Sequence, residues 1–251
     1  MVSRAFAPHG NGHARTKGAS RGIRRLALVA VMAVLAAALS TNAARAAAPL
    51  RLVYRVSHAV IGDLGSYTYT VEPLGNGAAE ILSREHIDVR MLGIPMFHED
   101  AMRTERWQGS RLMAFHGITD NGGSRVEVKG EAEGDRFVIS SPQGILTAAA
   151  TVHPADPCAA NFLASTTVMR PDTGAVEKVT VSGGEPGSLD IDGEPVPVRK
   201  YVVDGKTRYT VWLNARNLPV KFVVDDDAGQ ATFTLARCVS CGAPVARLGM
   251  R

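Results

Sequence analysis

The sequence has 251 residues, 45% hydrophobic and 21% charged, with a formal net charge of +4. That balance excludes a disordered chain. Residues 1–46 hold seven of the 28 Lys and Arg and none of the 24 Asp and Glu, so the rest has 21 basic against 24 acidic residues, a net charge of −3, and nothing in it argues for nucleic acid.

Chain order begins with a secretory signal. Arg4, Arg15, Lys17, Arg21, Arg24 and Arg25 precede an apolar run over 26–39. The run is shorter than the roughly 18 residues of a membrane-spanning helix, so no stable transmembrane segment is expected after cleavage. Ala44-Arg45-Ala46 puts small residues where a signal peptidase needs them, which predicts a cut after Ala46 and a periplasmic location. The twin-arginine route, through Arg24-Arg25-Leu26-Ala27-Leu28, has Ala27 in place of the usual large apolar residue. No cysteine follows the run to carry a lipid anchor.

Residues 47–236 read as one β domain. Strands are predicted at 52–58, 66–71, 79–89 and 111–118, while 91–107 fits no single pattern. In 125–131, Val126 and Val128 face one way and Arg125, Glu127, Lys129 and Glu131 the other. Further strands fall at 137–140, 145–151, 176–181 and 196–203. The apolar sets Tyr209, Val211, Leu213; Val220, Phe222, Val224; and Ala231, Phe233, Leu235 complete the series. A period of two with one apolar face marks half-buried antiparallel strands. Asn76-Gly77, Asn121-Gly122, Asp192-Gly193 and Asp204-Gly205 supply tight turns between sequence neighbours. Asp156 as N-cap and Pro157 at the first helical position predict the one helix, a short one near 156–163. The fold class is therefore mainly β: a single antiparallel, strongly curved sheet or open barrel of hairpins.

Residues 237–251 form a tail with the C-x-x-C of Cys238 and Cys241. In an oxidising compartment that spacing reads as a local disulfide; free or mixed thiols, a redox pair or half a zinc site are the alternatives, and Cys158 is another conceivable partner. The histidines of the exported part are His58, His86, His98, His116 and His153, with no H-x-H or H-E-x-x-H among them. Asp190-Ile191-Asp192-Gly193 lacks the rest of a calcium loop, and Asp225-Asp226-Asp227 reads as a solvated turn. Trp107, Trp212, Tyr54, Tyr67, Tyr69, Tyr201 and Tyr209 read as core fillers, with the lining of a pocket as the alternative. No nucleophile elbow, phosphate loop or dinucleotide motif is present. On this reading the chain has no catalytic residue, cofactor site or metal site.

Three stretches carry a family likeness. They are Tyr54-Arg55-Val56 with Ile61-Gly62-Asp63 and Tyr67-Thr68-Tyr69-Thr70-Val71; Trp107-Gln108-Gly109-Ser110-Arg111-Leu112; and a closing series of Leu189-Asp190-Ile191-Asp192-Gly193, Arg199-Lys200-Tyr201-Val202-Val203-Asp204-Gly205, Val211-Trp212-Leu213-Asn214 and Leu218-Pro219-Val220-Lys221-Phe222. In these the chain resembles an uncharacterised proteobacterial family of exported all-β proteins, known only as a domain of unknown function. The resemblance spans most of 51–236 and implies a fold but no activity. By strand pattern the chain is also similar to curved-sheet envelope proteins that include lipoprotein carriers, which is a likeness of fold. Three functions follow as expectations. The leading one is binding of a lipid or other apolar or amphipathic molecule on the concave face. The others are an envelope assembly module acting through strand edges, and an enzyme with a dispersed site.

Overall fold

Strands that alternate in sidedness and are joined by two-residue turns pair most simply with their sequence neighbours. The computed structural model follows that rule; it describes residues 48–159, 161–226 and 229–241. The expected signal peptide and its cut after Ala46 lie outside the described residues. Eight strands form the first meander: β1 (Leu50–His58), β2 (Gly62–Gly75), β3 (Ala78–Met91), β4 (Ile94–Gln108), β5 (Arg111–Asp120), β6 (Arg125–Glu133), β7 (Arg136–Ser141) and β8 (Gly144–Ala149). Three short strands follow, β9 (His153–Pro154), β10 (Thr167–Met169) and β11 (Val176–Lys178), in a small sheet of their own. A second meander closes the chain: β12 (Thr180–Ile191), β13 (Glu194–Asp204), β14 (Arg208–Asn214), β15 (Pro219–Asp226) and β16 (Gly229–Val239).

Pairing of β1 with β16 fuses the two meanders into one 13-stranded antiparallel sheet whose edges are β8 and β12. The sheet is open, because those edges do not pair. It curls around the segment 150–179 that connects them. Residues from distant strands touch this one segment: Tyr67 of β2 donates to Asp156 (2.6 Å), Trp107 of β4 packs on His153 (5.3 Å between ring centroids), and Tyr209 of β14 meets Phe162 edge-on (5.2 Å). Phe162, Val168, Met169 and Val152 are fully buried there. Within the sheet, Phe137 lies so close over Gly130 that a Cβ on that glycine would fall 2.3 Å from the ring.

The structure corrects four expectations. Among the described residues near 156–163 there is no α-helix, only i→i+3 turns ending in a 3-10 turn at Phe162–Ala164. The Asp156 carboxylate does cap, accepting from the Cys158 N–H (2.8 Å). Eight residues, however, yield too few i→i+4 bonds to offset the cost of nucleation. The unassigned stretch 91–107 is largely strand β4, which read ambiguously because its inward face carries Glu99, Arg103 and Glu105. The strand expected at 176–181 is two, β11 and the start of β12, whose Gly- and Pro-rich 180–191 forms an edge strand where a missing proline N–H costs no ladder bond. The tail begins later than 237, since β16 runs to Val239 and sets Cys238 opposite Leu52. No helix among the described residues is long and apolar enough to cross a membrane.

Candidate functional site

In a meander alternate turns fall at the same end, so the β1–β2, β3–β4, β5–β6, β7–β8 and β13–β14 turns share one mouth of the open barrel. There a cleft of about 510 Å³ opens. Its floor is the inner segment, at Ala155, Asp156, Pro157, Arg170 and Asp172. One wall comes from β2–β4 with Leu64, Ile87, Val89 and Phe97, the other from β14–β16 with Phe222, Val224 and Phe233. Phe222 and Phe233 are cross-strand partners with stacked rings 4.4 Å apart. Leu64 reaches the cleft through a β-bulge: Val56 pairs with Gly65 and Ser57 with Asp63, which leaves Leu64 as the extra, re-aimed residue. Gly65 beside it has φ +142°, and a Cβ there would strike the His86 carbonyl.

The apolar walls face buried charge. Arg103 donates to Glu85 (3.1 Å), and Arg170 grips Asp172 through Nε (3.2 Å) and Nη2 (2.7 Å). Burial works against the Arg103 charge, and Glu85 more than reverses this, so its pKa is raised. Burial likewise pushes Asp172 up, but the Arg170 hydrogen bonds bring it below the ordinary carboxylate range. No donor among the described residues reaches Glu99. Its pKa is pushed up to about 7, first by burial and then by the neighbouring Glu85 charge. Deeper inside, Glu105 accepts from Trp107 Nε1 (2.7 Å), and burial together with Asp156 lifts it to about 8. Burial also raises Asp156, against the opposing bonds from Tyr67 and the Cys158 N–H.

The sequence offered little sign of this cleft. The alternation Phe97, Glu99, Ala101, Arg103, Glu105, Trp107 has period two and apolar ends, and that is the signal that finds β4 and its charged inner face. Asp156 was legible only as a cap. The cleft has both an apolar wall, which suits an apolar ligand, and converging carboxylates, which would suit a dispersed catalytic site. Glu85, Asp172 and Asp156 are nevertheless engaged with Arg103, Arg170 and Tyr67, whereas Glu99 turns to the cleft with no donor among the described residues.

Other sequence candidates fall elsewhere. His58 lines the cleft, but its Nδ1 accepts from the Val60 and Ile61 N–H groups and serves the turn. His116 bonds Glu127 on the outer face, and buried His153 lies between Ser165 and the Ser110 carbonyl. Asp190 accepts from the Gly193 N–H, as a hairpin turn requires. Asp225 is exposed, Asp226 lines the cleft, and Asp227 lies outside the described residues. Trp212 is not core: it lies on the outer face between Lys200 and Lys221 (5.7 and 5.4 Å to the ring). His86, His98 and Asp100 are brought together across the β3–β4 hairpin.

Cys238 and Cys241 lie close together, with Cα atoms 5.9 Å apart, while the Cys158 thiol is buried in the inner segment. Burial, then Asp156, raises that thiol well above its ordinary range, which removes its nucleophilic form. The disulfide expected of the Cys238–Cys241 pair predicts that a thiol reagent finds no reactive cysteine in the native protein, one per chain in denaturant and three after reduction. Rapid labelling of the native protein, or three thiols without reductant, contradicts this.

Residues 62–236 match the profile of a family described as domain of unknown function DUF6134. The chain belongs to this family. The match runs from β2 into β16, and so takes in both walls of the cleft and its floor. Among solved structures, the chain is similar to a β-barrel-like protein of domain of unknown function DUF1849 from Brucella abortus. The TM-score is 0.58 at 15% identity, covering 77% of this chain and 98% of that one. At that identity the likeness is one of fold. No curated protein matches the chain. Neither family description names a reaction, and no catalytic family is indicated.

Proposed function

We propose that this family member is an exported, periplasmic, non-catalytic protein that holds an amphipathic molecule in the mouth of its open barrel. The observation that carries the reading is a cleft with apolar walls and a cluster of acids, among which Glu99 of the β4 wall has no donor among the described residues. Carboxylates outnumber the two arginines there, and a buried charge is costly until it is paired. The missing partner is a cation, so the ligand has an apolar body and an amine-bearing head. The exposed apolar rim of Val60, Leu92, Ile94 and Met96 supports entry from an apolar phase.

The test is displacement of a fluorescent fatty-acid analogue by dodecylamine and by laurate. Dodecylamine is expected to bind about tenfold tighter at pH 8, the equivalent of one charge-assisted hydrogen bond. The preference should shrink at pH 5.5, where Glu99 is protonated, and vanish in Glu99→Gln. Absence of any amphiphile binding overturns the reading; equal affinity for both heads overturns its assignment to Glu99.

One observation favours a second reading, an assembly module. Edge strand β8 bears the exposed Ile145 and Leu146 and has no ladder on its outer side, which suits addition of a partner strand. Lysine at Ile145 should then abolish capture of an envelope partner while leaving amphiphile binding intact.

A further inference from the structure

The outer face of the β3–β4 hairpin, on the far side of the sheet from the cleft, carries a cluster that the proposed function does not use. The register sets His86 directly opposite Asp100. His98 stands two residues before Asp100 on the same strand and so projects to the same face. His86 Nδ1 lies 2.7 Å from Asp100 Oδ1, and His98 Nε2 lies 3.0 Å from Asp100 Oδ2. The two rings meet edge-on with centroids 5.6 Å apart. One ligand atom from each residue falls within 4.8 Å of the other two.

These distances match a coordination sphere. Metal bonds of about 2.0–2.1 Å in a tetrahedron set neighbouring ligand atoms about 3.3 Å apart, so the two His–Asp separations would have to widen by only a few tenths of an ångström to admit an ion. The next carboxylate along the register, Asp120 of β5, pairs directly with Asp100 but stands outside this three-residue group, its Oδ1 accepting from the Gly122 N–H (3.1 Å). The β5–β6 turn that follows comes close to His98, where a Cβ on Gly122 would lie 3.8 Å from the histidine Cβ. Asp120 also lines the outer groove that His86 and Asp100 share, together with Arg84 and Arg125. The two arginines balance the two aspartates. Excess negative charge is therefore not what the site offers, and a hard cation that depends on it gains little. Two imidazoles and a carboxylate suit a borderline ion such as Zn²⁺.

We propose that His86, His98 and Asp100 form a divalent transition-metal site of the Zn²⁺ class, with water completing the sphere. The test is calorimetric titration of Zn²⁺ into the full chain, purified without a histidine tag and stripped with chelator, alongside Ca²⁺ as a control. One Zn²⁺ per chain, no Ca²⁺ uptake, and at least a tenfold loss of affinity in each of His86→Ala and His98→Ala are expected. Co²⁺ in place of Zn²⁺ should give the visible bands of a tetrahedral centre. His116→Ala, which removes an outer-face histidine bound to Glu127, should bind as the parent does. Absence of stoichiometric Zn²⁺ binding by the parent overturns the proposal. So does an equal loss in His116→Ala, or retention of parent affinity in folded His86→Ala and His98→Ala variants with an unchanged melting profile.

Discussion

Raising the pH from 5.5 to 8 should lower the stability of this protein by about 3 kcal/mol through Glu105 alone, and Glu105→Gln should remove most of that loss. Glu105 is 2% exposed and bonded to Trp107 Nε1. Burial, then Asp156, holds its pKa at about 8, against roughly 4.3 in an unfolded chain. The folded state keeps this proton longer than the unfolded state does. The stabilisation is thus complete below the unfolded pKa, shrinks as pH rises, and is gone above the folded one. Glutamine leaves Trp107 an acceptor and cannot ionise. In a domain of this size the loss is about 6–12 °C in melting temperature.

Glu99 and Asp156, also raised by burial, add to the alkaline loss with the same sign. His153 acts oppositely, because burial lowers its pKa and its contribution fades as pH falls. Asp172, held low by Arg170, adds a second acid-side loss. Stability should therefore peak in the weakly acid range and fall on through neutrality. Melting curves from pH 5 to 9 for parent and variant decide the matter. A flat parent profile, or the same alkaline slope in Glu105→Gln, contradicts the assignment.

The parts of this fold that were legible in the sequence are those in which local chemistry and global pairing agree. Val126 with Val128, and Tyr209 with Val211, announced strands because their partners are apolar and face the same way. Asn76-Gly77 and Asp192-Gly193 announced turns because the first residue of each tolerates positive φ, and both pairs adopt it (51° and 73°, 52° and 87°). The Leu92-Gly93 turn does the same with a leucine (φ 52°) that no turn preference predicts. The inner segment stayed hidden for a different reason. Its isolated Phe162, Val168 and Met169 show no period, since contacts with strands on both sides of the barrel bury them rather than a regular face of their own. The candidate sites were hidden for a third reason. Glu85 and Arg103, like His86 and Asp100, become neighbours only through hairpin register, which spacing along the chain does not reveal.

Arg103 is where the site and the fold depend on the same side chain. Its charge pairs with Glu85, and the two side chains are 11% and 13% exposed. It also lowers the pKa values of Glu99, Glu105 and Asp156. Arg103→Met keeps the volume of the stem but leaves Glu85 buried without its partner, a loss of about 3–5 kcal/mol. Without the guanidinium the other three acids hold their protons to higher pH, so the penalty should be largest near pH 8 and shrink toward pH 5. The Arg103→Met, Glu85→Gln double variant removes both charges and should recover most of the loss, as replacement of a whole buried pair does. In the cleft, Arg103→Met should move the pH midpoint of dodecylamine binding upward, because Glu99 then ionises later. Urea unfolding of the two single variants and the double variant at pH 5.5 and 8 measures the coupling. A double variant as unstable as Arg103→Met would mean that lost packing, rather than the orphaned carboxylate, is what the single substitution costs.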